Sequence, residues 1–204
     1  MSRRPADVRL DELLRTAVDV IVERGLANTR TGDVARAAGV SQALVFYHFA
    51  NKDALLAQAF AYAASRDLEG LDRVASSDLP SPEKVRQIID LYAPAGRSKA
   101  WALWIDGWSE ALRNPTLEAV SRRLDLRWKE ALAEAISAGA ADGAFTCADP
   151  VKAAWRITSL IDGLAVQLTV HPDVLDRSTV LNWIAEAVAT ELGLGAGSGF
   201  SVES

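Results

Sequence analysis

The stretch GVSQALVFYHFANKDAL, Gly39 to Leu55, brings together four side chains suited to a polyanion: Gln42, Tyr47, His48 and Lys52. A carboxamide such as that of Gln42 can make paired hydrogen bonds to adenine in a major groove. The Tyr47 hydroxyl and the His48 imidazole can donate to phosphate oxygens, and the Lys52 ammonium adds a charge that fixes register without reading sequence. Ser41 stands just before them, where its hydroxyl either meets a phosphate or caps a helix. Val40, Val45 and Phe49 supply the apolar side chains that would dock the same segment on a core.

Charge supports this placement only at one end of the chain. The 204 residues carry a net charge of −5, yet Met1 to Lys52 holds eight Lys/Arg against six Asp/Glu, whereas the remainder holds fourteen against twenty-one. Only the N-terminal quarter can approach a polyanion. Half of the residues are hydrophobic, the balance of a globular protein with a real core. No run is long enough to span a membrane, and the start MSRRPADVRLDELL has no apolar stretch behind its arginines, so a cytoplasmic protein is expected. One cysteine, Cys147, and two histidines, His48 and His171, exclude a disulfide framework and a Cys/His zinc site. No phosphate loop, paired carboxylates or clustered nucleophile and base is present, so neither an enzyme nor a cofactor is expected.

The elements that must position these side chains read as helices throughout. Leu10, Leu13, Leu14, Ala17, Val18, Ile21 and Val22 recur at spacings of three and four and stop at Gly25. Thr31 opens a short run closed by Gly39, Ser41 opens a second ending near Phe49, and Asn51 caps a long helix towards Val74. After SSDLPSP the pattern predicts helices from about Pro82 to Tyr92, Lys99 to Arg113, Asn114-Pro115 to Ala141, Asp149-Pro150 to His171 and Ser178 to Leu192. The fold class is all-α: a three-helix head in 1–52, a larger helical body in 53–193, and a flexible tail in 194–204.

A helix-turn-helix needs a small residue where its helices cross and a positive φ at its turn, and Ala35 and Gly39 fill those places. Gln42, Ala43, Leu44, Tyr47 and His48 then lie on the outer or flanking faces of the second helix, which is the size of a major groove. TGDVARAAGVSQALVFYHFANKDALL resembles the DNA-binding signature of the TetR family of transcriptional regulators, with Thr31, Val34, Ala35, Ala38, Gly39, Val40, Ser41, Val45, Phe46, Tyr47, His48, Phe49, Lys52 and Leu55 in register. The resemblance implies phosphate contacts from Thr31, Tyr47, His48 and Lys52 and base contacts from Gln42, Ala43 and Leu44. Ala43 stands where glycine is frequent, and Phe46 replaces a frequent tyrosine.

In the body, KAWALWIDGWSEAL sets Trp101, Trp104, Ile105, Trp108 and Leu112 on one helical face, which suits a bulky core as well as a pocket wall. Asp106 and Glu110 fall on the opposite side and read as solvated or paired. The resemblance implies an effector cavity among the middle helices, and three indoles joined by Trp128 and Trp155 would suit a flat apolar or a cationic ligand. Asp162, two turns after Trp155 on an apolar helix, either orients an effector or forms a hydrogen bond at a helix contact. The last two helices are apolar nearly all round, which predicts self-association into a four-helix bundle through Ser159, Gly163, Val180, Trp183, Ile184, Ala187 and Val188. The resemblance implies the same homodimer.

The expectation is therefore a ligand-responsive, dimeric regulator, a repressor released from a palindromic double-stranded DNA operator by a small-molecule effector that is apolar, aromatic or cationic. The competing expectation is a helical carrier or protein-interaction module that reuses helix-turn-helix geometry without DNA.

Overall fold

A computed structural model describes residues 10–94, 98–194 and 200–202. Among them the regular structure is helical: α1 (Leu10–Arg24), α2 (Thr31–Ala37), α3 (Gln42–His48), α4 (Lys52–Ala75), α5 (Ser81–Tyr92), α6 (Lys99–Ala111), α7 (Pro115–Ala141), α8 (Pro150–Val170) and α9 (Arg177–Glu191). No helix among the described residues is long and apolar enough to cross a membrane. Most boundaries are fixed by side chains that accept the orphan N–H groups of a first turn. Ser41 Oγ takes Leu44 N–H at 3.2 Å, Asn51 Oδ1 takes Ala54 N–H at 2.8 Å, Asn114 Oδ1 takes Leu117 N–H at 3.0 Å and Asp149 Oδ1 takes Lys152 N–H at 3.0 Å. At α9 the cap is Asp176, not Ser178: its carboxylate accepts Thr179 N–H at 2.8 Å and both neighbouring hydroxyls, which hold it well below the ordinary carboxylate range.

The chain divides into two compact units. One comprises the described part of Met1–Arg66 with Ala102–Leu124, the other Asp67–Trp101 with the described part of Asp125–Ser204. Helices α4, α6 and α7 each contribute residues to both.

In the first unit Leu13, Ala17, Ile21, Leu26, Val34, Val45, Phe49, Leu55 and Phe60 form the core, each at most 1% exposed. Burying side chains of this size is the main source of stability, roughly 1.5–3 kcal/mol apiece before conformational entropy is subtracted. The Ala102–Ala111 part of α6 packs on α4 through Gly107, where an added Cβ would lie 2.5 Å from Phe60 Cε2. Only a glycine admits that ring, and Phe60 then meets Trp104 edge-on at 4.9 Å. Asp106 Oδ2 accepts Leu26 N–H at 2.6 Å, and Asn114 donates to Asp53 Oδ1 at 3.0 Å. The expectation that Asp106 is solvated or paired thus resolves into a bond to the loop after α1.

The second unit is centred on Leu71, Val85, Ile88, Ile89, Leu132, Ile136, Ile157, Ile161, Val180, Ile184 and Val188, all buried. Helices α8 and α9 pack on each other. Of the stretch read as a flexible tail, residues 195–199 and 203–204 lie outside the described residues. Leu192 O accepts Thr146 N–H at 2.9 Å just before it, and Val202 near its end is buried.

Candidate nucleic-acid interface and effector site

The turn between α2 and α3 is closed by backbone bonds: Ala38 N–H donates to Val34 O at 2.9 Å and Val40 N–H to Ala35 O at 3.0 Å. Gly39 lies between them at φ 67°, in the left-handed region that a side chain would strain. Val45 and Phe49 are buried and hold α3 to the core, so the rest of its surface is presented outward. Tyr47 is 81% exposed. Gln42, Ala43 and Phe46 are exposed as well, while Leu44 and His48 are half-buried. The His48 ring lies edge-on to Tyr47 at 5.1 Å.

Four of the expected contact residues already have partners. Ser41 is a helix cap, with its hydroxyl proton left to donate elsewhere. Lys52 Nζ donates to Ala27 O at 3.1 Å, which anchors the start of α4 to the α1–α2 loop. Thr31, 8% exposed, accepts a hydrogen bond at 2.9 Å from Gln42 Nε2. Sequence reasoning missed the part played by Asp33. It accepts Arg30 N–H at 3.2 Å and lies 3.4 Å from Arg24 Nη1 and 3.3 Å from Arg36 Nη1, drawing two cations around the first turn of α2. The spacing Asp33–Arg36, one helical turn, signalled the second pair, and nothing in the spacing signalled Arg24.

In the second unit the centre is Tyr92, another residue the sequence did not single out. Its hydroxyl donates to Asp162 Oδ1 at 2.6 Å. Its ring lies 5.7 Å from Trp101 and 5.0 Å from Trp128, both indoles being nearly buried. Burial lifts Asp162 to about 6, because the desolvation penalty outweighs the Tyr92 hydrogen bond and the nearby Lys129 charge. Tyr92 is pushed well above its ordinary range by burial and then by the facing carboxylate. Lys129, itself 4% exposed, places Nζ 2.5 Å from Asp125 Oδ1 and 4.9 Å from the centroid of Trp155. Beside this group Ile88, Ile89, Tyr92, Trp128, Leu132, Thr158 and Ile161 line a packing gap too narrow for a water molecule.

The six pocket candidates are therefore divided. Trp101, Trp128 and Asp162 surround Tyr92, and Trp155 is half-exposed over Lys129. Trp104 and Trp108, 5.9 Å apart, belong with Phe60 in the first unit. The residues expected to self-associate divide too. Ser159, Gly163 and Trp183 are exposed, with open space where a Gly163 Cβ would stand; Ala187 is half-buried; Val180, Ile184 and Val188 are fully buried in the unit's own core.

Residues 13–59 match the family described as bacterial regulatory proteins, tetR family, and residues 82–193 match the C-terminal family of BetI-type transcriptional repressors. An HTH-type transcriptional regulator BetI from Stenotrophomonas maltophilia is 27% identical over 123 residues, covering 59% of this chain and 63% of that one. The chain thus spans less than two thirds of that relative. A regulator of the same name from Pseudomonas fluorescens is 24% identical over 193 residues, 91% of this chain and 93% of that one. Among solved structures, a transcriptional regulator from Saccharomonospora viridis in complex with choline is 25% identical, covers 86% of this chain and 92% of its own, and superposes with a TM-score of 0.75.

Proposed function

The chain belongs to the TetR family of transcriptional regulators, with a C-terminal part of the BetI type, and on that premise we propose that it is a repressor whose effector is a small quaternary-ammonium cation. The observation that carries this reading is the Tyr92 cluster. Two indoles and a phenol offer π faces, and the Asp162 carboxylate supplies negative charge inside the same group. A cation that cannot donate hydrogen bonds is held by aromatic faces and a charge rather than by acceptors. The choline carried by the Saccharomonospora viridis regulator supports that chemistry. Because the adjoining gap admits no water, entry of an effector there requires Trp128 and the side chains around it to part.

The DNA-bound form is a twofold homodimer. Its self-association face is the exposed side of α8 and α9, with Ser159, Gly163 and Trp183, extended by Val151 and Leu160. Two α3 helices then meet major grooves about 34–36 Å apart on a palindromic operator. Gln42, Ala43 and Leu44 face bases, and Thr31, Tyr47, His48 and Lys52 face phosphates. Such a regulator works in the cytoplasm, where the DNA is.

Release follows from helices that serve both units. Lys52 at the start of α4 holds the α1–α2 loop through Ala27, and Asp106 of α6 holds it through Leu26. An effector that moves α4 or α6 carries the loop with it and displaces the head, provided it prefers the non-binding state.

Calorimetric titration of the full-length protein with choline and with its neutral isostere 3,3-dimethylbutan-1-ol tests the reading. Choline binding at least tenfold tighter, and release of DNA by choline in a mobility-shift assay, is the expected result. Equal binding of the two compounds would remove the cationic effector from the proposal.

A further inference from the structure

We propose that Thr31 is a positioning residue for base reading: it holds the Gln42 carboxamide in its reading orientation, so that one operator base pair is specified by the pair Thr31–Gln42 and not by Gln42 alone. The inference rests on the reading that Gln42 faces a base.

Gln42 opens α3, and a glutamine there has three free torsions to fix before it can present both ends of its amide to a base edge. Here one end is already engaged by the first turn of α2: Nε2 donates to Thr31 Oγ1 at 2.9 Å. Thr31 is in turn fixed, because it is nearly buried and β-branched, with a narrow choice of χ1. A stiff, buried hydroxyl therefore orients a flexible, exposed amide across the helix-turn-helix.

The hydrogen-bond inventory is compatible with DNA contact. The amide nitrogen has two protons, of which Thr31 takes one, leaving one proton and the carbonyl oxygen for a base. The threonine hydroxyl accepts from Gln42 and keeps its own proton for a phosphate oxygen. A backbone contact by Thr31 and a base contact by Gln42 are then made by one connected set, and the phosphate contact strengthens the orientation that reads the base. The valine isostere deletes both roles of the hydroxyl, whereas serine keeps it.

Selection from a randomised duplex pool with the full-length wild type gives its preferred site. The position where Gln42→Ala relaxes preference marks the base pair that Gln42 reads. Affinities of wild type, Thr31→Val and Thr31→Ser are then measured on the selected duplex and on duplexes changed at that pair or at another read position. Wild type is expected to discriminate at the Gln42 pair by roughly 5- to 150-fold, the range of a good paired contact. Thr31→Val is expected to reduce that ratio to the Gln42→Ala value while leaving the ratio at the other position unchanged, and Thr31→Ser to retain it. Discrimination is a ratio of two affinities of one preparation, so a partly unfolded fraction cancels; if the valine variant does not fold at all, Thr31→Ala takes its place. Uniform weakening by Thr31→Val on every duplex, with discrimination intact, makes Thr31 a phosphate ligand only and overturns the proposal. Unchanged preference for Gln42→Ala at every position removes the underlying reading along with it.

Discussion

The two candidate sites are built in opposite ways. On the head, Tyr47 is 81% exposed and Gln42, Ala43 and Phe46 are exposed on the same helix, so recognition there is laid over a fold that Val45 and Phe49 already secure. In the body, Trp128 is 4% exposed and Asp162 sits where burial lifts it to about 6, so the groups that would recognise a ligand are themselves part of the packing. A change to the exposed face of α3 leaves the core intact, whereas a change beside Tyr92 reaches into it.

The sharpest way to break that contrast is a pair of truncations. Trp128→Ala should lose about 3–5 kcal/mol in urea unfolding, as expected for a buried aromatic, whereas Tyr47→Ala should stay within about 0.5 kcal/mol and still bind every duplex more weakly. Similar losses of stability in the two variants would erase the distinction.

Asp162→Asn sharpens it from the other side. A carboxyl raised from 3.8 to about 6 makes its favourable contribution when protonated, fully below about pH 4, and loses it as pH rises through 6. At pH 7.5 the charge is buried at a cost, and asparagine, which can still accept from Tyr92, should raise stability by up to about 2–3 kcal/mol. Unfolding at pH 7.5 and pH 4 checks this, with the gain absent at the lower pH. Choline affinity of the wild type should fall as pH drops below about 6, and the variant should lose that dependence. Tyr92, Lys129 and Asp125 are the other titratable groups around this carboxylate, and a titration unchanged by Asp162→Asn would pass the effect to them.

Next comes Asp106→Ala, which strands the N–H of the fully buried Leu26 and should cost about 1–3 kcal/mol. If release runs through α6, the same variant also weakens the response of DNA binding to choline; a full response would place the coupling elsewhere. The smallest effect belongs to Lys52→Ala. Its stability should change by under about 1 kcal/mol, while the slope of log affinity against log salt should fall by about one, measured by fluorescence anisotropy on duplex DNA.

The head was legible in the sequence because its determinants are local. Ser41 and Asn51 cap helices by accepting N–H groups three residues on, and Ala35 O takes Val40 N–H across the turn at Gly39. The body was legible only as helices. Periodicity says which side chains share a face, not what the face meets, so Trp101, Trp104 and Trp108 read as one wall although they belong to different units. Tyr92 and Asp162 are 70 positions apart, and nothing near either names the other. On α9 the apolar residues read alike, yet Val180, Ile184 and Val188 turn inward while Trp183 turns outward.

Helix α6 carries a constraint of a different kind. Trp101 stands with Tyr92, and three residues later Trp104, followed by Asp106 and Gly107, serves Phe60 and Leu26. Within the first unit, deleting Ile105 would rotate Asp106 and Gly107 by about 100° relative to Trp104 and draw them back about 1.5 Å, turning Asp106 from Leu26 and driving a side chain into the place of Gly107. The spacing from Trp104 to Gly107 is therefore locked: an insertion or deletion there is a phase error that no single compensating substitution repairs.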